Sequence, residues 1–290
     1  MDRAEFSLVG RHGTDIVYDV WTPDAEITGL VVLSHGLGEH ARRYDHVAAV
    51  LGDLGLIVYA IDHRGHGRSG GKRLESKNWS DYVSDLHELF RIARTAHPNT
   101  KTFLLGHSMG GAIALSYALE HQAELDGLML SGPAVVLGDG TPKILVPIGK
   151  ILGRIAPSVP VQALDSADVS RDPAVVAAYD ADPLVHHGKV PAGLASHLVG
   201  AMESFPAALP SLTLPVLLQH GSEDKLADVA GSRMIAERAG STDLTLEVYD
   251  GLFHEVFNEP EREQVLADLV AWLAPRVNRQ SRSASDSTPR

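Results

Sequence analysis

Ser108 stands in the run Gly106-His107-Ser108-Met109-Gly110. The strand-like Thr102-Phe103-Leu104-Leu105 precedes it, and Gly111 to Leu119 can run as a helix. A serine on so sharp a strand-to-helix turn is pushed clear of the backbone, and the N–H of the next residue, Met109, points into the same space. Gly106 and Gly110 leave that turn room. A hydroxyl is a weak nucleophile unless a base takes its proton. Two later loops supply the missing groups. The apolar run Leu214 to Leu218 leads into Gln219-His220-Gly221-Ser222-Glu223-Asp224, and the alternating run Leu244 to Tyr249 leads into Asp250-Gly251-Leu252-Phe253-His254. A histidine deprotonating Ser108 and an acid orienting that histidine make an acyl-transfer triad of Ser108, Asp224 and His254. Glu223 and Asp228 compete for the acid role. The position of Asp224 in the Gly-Ser-Glu-Asp turn favours it.

The serine–acid–histidine order is that of the α/β-hydrolase fold. That fold also places a second oxyanion donor in an early βα turn. Gly29 to Ser34 reads as a buried strand ending in His35-Gly36-Leu37-Gly38-Glu39-His40. The N–H of Leu37 is therefore the expected partner of the Met109 N–H, although an ordinary βα turn would carry the same residues. The chain has 15 histidines, so one near a strand end is not by itself informative. His12, His46, His87, His97, His121 and His197 are expected at the surface. His107 is expected to bond locally, and His220 to support the acid.

The elements that must hold these groups alternate. Phe6 to Tyr18 suggests an opening hairpin. Strand character at 31–34, 57–61, 102–105, 127–131, 215–219 and 244–249 interleaves with helical character at 43–54, 79–96, 111–121, 230–239 and 261–273. Such alternation predicts a mainly parallel sheet with helices on both faces. The alternation fails between about Val136 and Ser211, a proline-rich stretch with no clear buried strand. This predicts core segments at 1–136 and 212–277, an inserted cap (lid) at 137–211 above Ser108, and a disordered serine-rich tail at 278–290. Inside the insertion, Ile144, Ile148, Ile151, Leu152 and Ile155 fall on one helical side and Lys143, Lys150 and Arg154 on another. Pro147 should confine the regular helix to the part beginning near it. That face either packs on the core or meets lipid with its cations near anionic headgroups.

A length of 290 residues with 44% hydrophobic content suits one α/β domain with an insertion. No cysteine is present, so disulfide and thiol chemistry are excluded. A net charge of −12 argues against nucleic acid as a partner. Zinc spacings, phosphate loops and dinucleotide fingerprints are not found, and no cofactor or metal is expected. The first residues lack the pattern of a signal peptide, and no stretch is apolar enough to span a bilayer. The default location is cytoplasmic, with peripheral membrane or envelope association open.

Four runs together resemble the monoacylglycerol lipase family, and most closely its bacterial, mycobacterial-type members. They are His35 to His40 with Arg43-Tyr44, Asp62-His63-Arg64-Gly65-His66-Gly67-Arg68-Ser69, Gly106 to Gly111, and Tyr249 to Pro260 with His254-Glu255. The resemblance covers about residues 10–275, including Asp182-Pro183-Leu184-Val185. It implies hydrolysis of monoacylglycerols to fatty acid and glycerol through an acyl-enzyme, with a cap over an apolar acyl channel. It also implies the triad and oxyanion donors named above. Glu39 and Arg43 match family positions near a polar glycerol pocket; on residue type alone they could equally be a surface ion pair. The 66–69 loop is expected to be structural. Eukaryotic relatives carry cysteines near the site, and thiol-directed inhibition cannot transfer to this chain. A broader carboxylesterase or lysophospholipase is the rival activity, and a catalytically silent binding protein on the same fold is a remote one.

Overall fold

The computed structural model describes residues 1–137, 145–162 and 164–277. The expected tail at 278–290, Lys143 and Ile144, and the side chain of Ile148 lie outside the described residues.

Strands β1 (Asp2–Val9), β2 (Asp15–Thr22), β3 (Gly29–Ser34), β4 (Leu56–Ile61), β5 (Thr102–His107) and β6 (Gly127–Ser131) precede the insertion. Helices α1 (Asp45–Asp53), α2 (Trp79–Ala96) and α3 (Met109–His121) connect them. The insertion contributes α4 (Leu145–Ile155), β7 (Pro160–Gln162), α5 (Pro173–Ala181), β8 (Val190–Pro191) and α6 (Ala192–Ala208). The chain then continues through β9 (Val216–Gly221), α7 (Ala230–Arg238), β10 (Leu244–Tyr249) and α8 (Arg262–Val277).

Eight strands form one sheet in the order β1-β2-β4-β3-β5-β6-β9-β10. The β1–β2 and β2–β4 pairs are antiparallel and the others parallel. The central strands are apolar without a break because both of their faces are covered. Alternation survives in where each side chain goes. Leu30, Val32 and Leu104 join one core with Leu86, Phe90 and Ile113 of α2 and α3. Val31, Leu33, Phe103 and Leu105 join the other with Val47 and Leu51 of α1 and Leu269 and Trp272 of α8. Each fully buried Leu or Phe contributes about 1.5–3 kcal/mol. These two cores fix the level at which the strand ends, and hence the site loops, emerge.

The 66–69 loop is tied into the fold, in line with a structural role. Asp62 accepts the N–H of Ala41 at 2.8 Å and that of Arg68 at 2.9 Å, while Arg68 also reaches Asp19 of β2. Of the six histidines expected at the surface, only His12 is exposed. His46 bonds the Phe257 carbonyl at 2.9 Å and His97 the Tyr59 hydroxyl at 3.0 Å.

The described part of the insertion carries more regular structure than its sequence suggests. β7 and β8 pair with each other, away from the main sheet. Helix α6 was not foreseen. Gly193, Gly200 and Pro206 interrupt its pattern, and its apolar residues are not confined to one stripe because it packs on both α3 and α4. In α4, Pro147 occupies the first turn, where a missing N–H costs nothing.

Candidate active site

Ser108 caps α3 with φ +54° and ψ −121°. A non-glycine residue there costs about 1–3 kcal/mol, and the surroundings must enforce it. Here the Ser108 N–H donates to the Ser131 carbonyl at 3.0 Å, and the Ser108 carbonyl accepts the N–H of Ala112 at 3.1 Å and of Ala134 at 3.0 Å. The flanking glycines serve proximity rather than dihedral freedom. A Cβ on Gly110 would lie 2.2 Å from the carbonyl oxygens of Ser34 and His35, and one on Gly106 would lie 2.6 Å from the Gly110 carbonyl oxygen.

Asp224, after β9, has every lone pair engaged. Its Oδ1 accepts the N–H of Leu226 at 2.8 Å and of Ala227 at 2.9 Å. Its Oδ2 lies 2.7 Å from His254 Nδ1 and 3.2 Å from His220 Nε2. Since Nδ1 of His254 faces a carboxylate, it carries the hydrogen, and Nε2 is left with its lone pair. His220 is fixed likewise: Nδ1 accepts from the Ser232 hydroxyl at 2.7 Å, so Nε2–H serves Asp224 and the Ala227 carbonyl. Glu223 is exposed and engages through its backbone, donating to the Leu252 carbonyl at 3.0 Å. Asp228 lines the cavity but caps its own loop through the Ala230 N–H.

The electrostatics follow. Burial works against a charged Asp224, but His254 and His220 outweigh it and hold its pKa below the ordinary carboxylate value. Burial also disfavours the His254 imidazolium, yet Asp224 prevails and the pKa lies above the usual 6.5. The His107 ring lies 4.7 Å from that of His254, tilted at 49°, and bonds the Ser131 carbonyl at 3.0 Å. Burial, then His254, push its pKa down to about 4, so it stays neutral beside the base.

The turn after β3 touches the serine elbow: a Cβ on Gly36 would lie 3.1 Å from Ser108 Cβ. Leu37 and Met109 both line the space beside Ser108. Among the described residues, neither of their N–H groups has a protein acceptor. Glu39 holds the turn, its Oε1 accepting the Gly36 N–H at 2.6 Å and the Tyr44 hydroxyl at 2.7 Å. Arg43 joins Glu39 at 2.8 Å to Glu255 at 2.5 Å and 2.7 Å, and stacks 4.7 Å over Tyr179. Burial opposes the Glu39 charge, but Arg43 and nearby groups bring its pKa down to about 2. The surface ion-pair alternative fails, because the Arg43 and Glu39 side chains are only 11% and 4% exposed. Glu39 and Glu255 line the cavity; Arg43 is not among its lining groups and lies behind them. The sequence names Glu255 only within the Tyr249 to Pro260 motif, without a role, and nothing in it marks Gly132. The signal for Glu255 was its position next to His254. A Cβ on Gly132 would lie 3.2 Å from His254 Nδ1.

Ser108, Asp224 and His254 border one cavity of about 570 Å³. Its far wall is apolar, with Leu194, Leu198 and Met202 at one-turn spacing on α6, joined by Val136 and Val161.

This sheet, with a strained serine after β5, an aspartate after β9 and a histidine after β10, defines a serine hydrolase of the α/β-hydrolase class. Residues 25–261 match the family described as serine aminopeptidase, S33. The chain is 52% identical over 275 residues to a monoacylglycerol lipase of Mycolicibacterium smegmatis, covering 95% of this chain and 98% of that one. It is 35% identical over 273 residues to the monoglyceride lipase of Rattus norvegicus, covering 93% and 90%. The crystal structure of the Paleococcus ferrophilus monoacylglycerol lipase superposes with a TM-score of 0.80 at 33% identity, covering 95% and 98%. The chain belongs to the monoacylglycerol lipase family.

Proposed function

We propose that this protein hydrolyses monoacylglycerols to fatty acid and glycerol. The observation that carries the reading is the 2.7 Å approach of His254 Nδ1 to Asp224 Oδ2: the carboxylate holds Nδ1–H and leaves Nε2 to take a proton in the cavity that Ser108 borders. In the mechanism, His254 Nε2 takes the Ser108 proton as Oγ attacks the ester carbonyl. Leu37 and Met109 N–H groups receive the oxyanion, and Asp224 stabilises the imidazolium. His254 then protonates the departing glycerol oxygen, and water, deprotonated by His254, releases the fatty acid. The apolar wall of α6 receives the acyl chain, and the end beside Glu39 and Glu255 receives glycerol.

An aminopeptidase reading fits less well. It needs a carboxylate for the peptide's ammonium, and Glu39 and Glu255 are both spoken for by Arg43. The described residues of the 137–211 insertion act as a cap: they supply most of the apolar wall of a cavity whose volume suits one small ligand.

The same segment offers a lipid contact. Ile151 and Ile155, one turn apart on α4, are 57% and 76% exposed, and Val159 and Val161 are 40% and 43% exposed. Val161 also lines the cavity, so the apolar patch reaches its mouth. The expected basic side of α4 contributes less, since Lys150 pairs with Glu203 of α6 and, with Arg154, borders a separate cleft. Among the described residues no helix is long and apolar enough to cross a membrane.

The test is a turnover panel of monoacylglycerols of varied chain length, di- and triacylglycerols, lysophospholipids and short soluble esters, with Ser108→Ala as the blank. Preference for monoacylglycerols is expected. Comparable turnover of triacylglycerol would remove the cap argument, and equal turnover of lysophospholipids would move the assignment to a broader esterase.

A further inference from the structure

On the side of the sheet carrying α2 and α3, three side chains that the hydrolytic site does not use converge. His87 comes from the middle of α2, His121 is the last residue of α3, and Glu124 lies on the turn that follows. The two imidazole rings stack at 4.6 Å with 23° between their planes. One ligating atom from each of the three groups lies within 4.8 Å of the others. All three residues are half-buried, so the site is reachable from solvent yet not freely mobile.

We propose that His87, His121 and Glu124 bind a divalent transition-metal ion, zinc(II) being the best match to two imidazoles and a carboxylate. Metal–nitrogen and metal–oxygen bonds of about 2.0–2.2 Å place tetrahedral ligand atoms about 3.4 Å apart. The most distant pair must therefore close by up to about 1.4 Å, a shift within the range of side-chain rotation. Glu124 is already aimed. Its Oε2 accepts the Tyr117 hydroxyl at 3.0 Å and faces Arg94 at 3.3 Å, while Oε1 points to His121 Nδ1 at 3.8 Å. The outer oxygen is thus held by neighbours and the inner one can turn to the ion. The Tyr117 hydroxyl also lies 3.5 Å from His87 Nδ1, and its ring stacks on Phe90 at 4.5 Å. Partners of this kind orient ligands around a metal. A water would complete the fourth position, since Glu120 faces the opposite ring nitrogen of His121, Nε2, at 3.9 Å.

Such an ion would not enter the hydrolytic chemistry. Twelve residues of helix, about 18 Å, separate His121 from the head of α3 beside Ser108. Its effect would be to staple α2 to the far end of the helix that carries the nucleophile at its cap. Since the unfolded chain lacks the preformed site, binding adds to stability.

The experiment uses the tag-free full-length protein stripped with EDTA and titrated with zinc chloride by calorimetry. Thermal unfolding and the visible spectrum of the cobalt(II) form are measured in parallel. One ion per chain is expected, with a rise in Tm of about 5 °C at free zinc a hundredfold above Kd. Intense tetrahedral cobalt bands are expected too. His87→Gln and His121→Gln should each weaken zinc binding at least about tenfold, with zinc-free Tm values near wild type showing that they fold. Hydrolysis of a soluble ester by these variants should match wild type. Wild-type zinc affinity in the His87→Gln/His121→Gln double variant would overturn the proposal, and so would weak, octahedral cobalt absorption.

Discussion

Replacing Asp224 by Asn tests the site most sharply, because the two side chains have the same shape and differ only in what they offer the imidazoles. Asn keeps an oxygen for the Leu226 and Ala227 N–H groups. The other arm becomes an NH2 facing His254 Nδ1 and His220 Nε2, both of which carry hydrogen. His254 can relieve the conflict only by moving its hydrogen to Nε2, and an imidazole in that form cannot take a proton from Ser108. The kcat should fall about 10⁴-fold, equivalent to about 5 kcal/mol in the barrier. His220 is left with an imperfectly met donor, a cost of about 1–3 kcal/mol in stability, which lowers Tm by several degrees without unfolding the protein. The assay pairs steady-state hydrolysis of a soluble chromogenic ester with the rate of fluorophosphonate labelling, and circular dichroism checks the fold. Glu223→Gln is the matched control. That side chain is exposed, so its stability should change by no more than about 0.5 kcal/mol, and kcat should hold. An Asp224→Asn enzyme within tenfold of wild type, or a larger loss in Glu223→Gln, would refute the assignment of the acid.

Three further outcomes follow from the geometry. Because Asp224 raises the His254 pKa, kcat/KM should climb with pH through a midpoint above 6.5. For stability the signs oppose: the His254 contribution is complete below about 6.5 and is lost as pH rises through its folded pKa, whereas the depressed Asp224 pKa contributes above about 3.9 and is lost as acid is added. Arg43→Gln strands two buried carboxylates, and denaturant unfolding should show a loss of about 3–5 kcal/mol; less than 1 kcal/mol would mean the bridge is slack. Leu198→Trp fills the apolar wall and should cut long-chain turnover about tenfold or more while sparing a short soluble ester; equal losses on both would place the acyl chain elsewhere.

Ser108, Asp224 and His254, which the structure brings to one cavity, could be read in the chain because each sits in a short motif after an apolar run. Most central strand and helix boundaries fall within a residue or two of those expected, while the opening hairpin and the last helix each extend about four residues beyond expectation. What escaped depends on contacts distant in sequence. Glu39 and Arg43 look like an exposed pair until Glu255 arrives to claim the other side of the guanidinium. His87 and His121 read as surface groups because nothing local says that α2 and α3 bring their rings together. Helix α6 was hidden by Gly193, Gly200 and Pro206 within it and by apolar residues spread over several sides, a consequence of packing on α3, on α4 and against the cavity at once.

The guanidinium that joins Glu39 to Glu255 closes a loop of 212 residues. The proposed nucleophile and the two proposed oxyanion amides are in place by residue 109, whereas the proposed acid and base follow only at 224 and 254. A nascent or refolding chain that has settled its first half therefore displays a strained serine with no base, and is chemically inert. Contacts of such sequence separation form late, because chain entropy resists closing so long a loop. Recovery of hydrolysis on refolding should consequently lag behind recovery of helix signal, which makes the reaction itself a clock for the final closure of the fold.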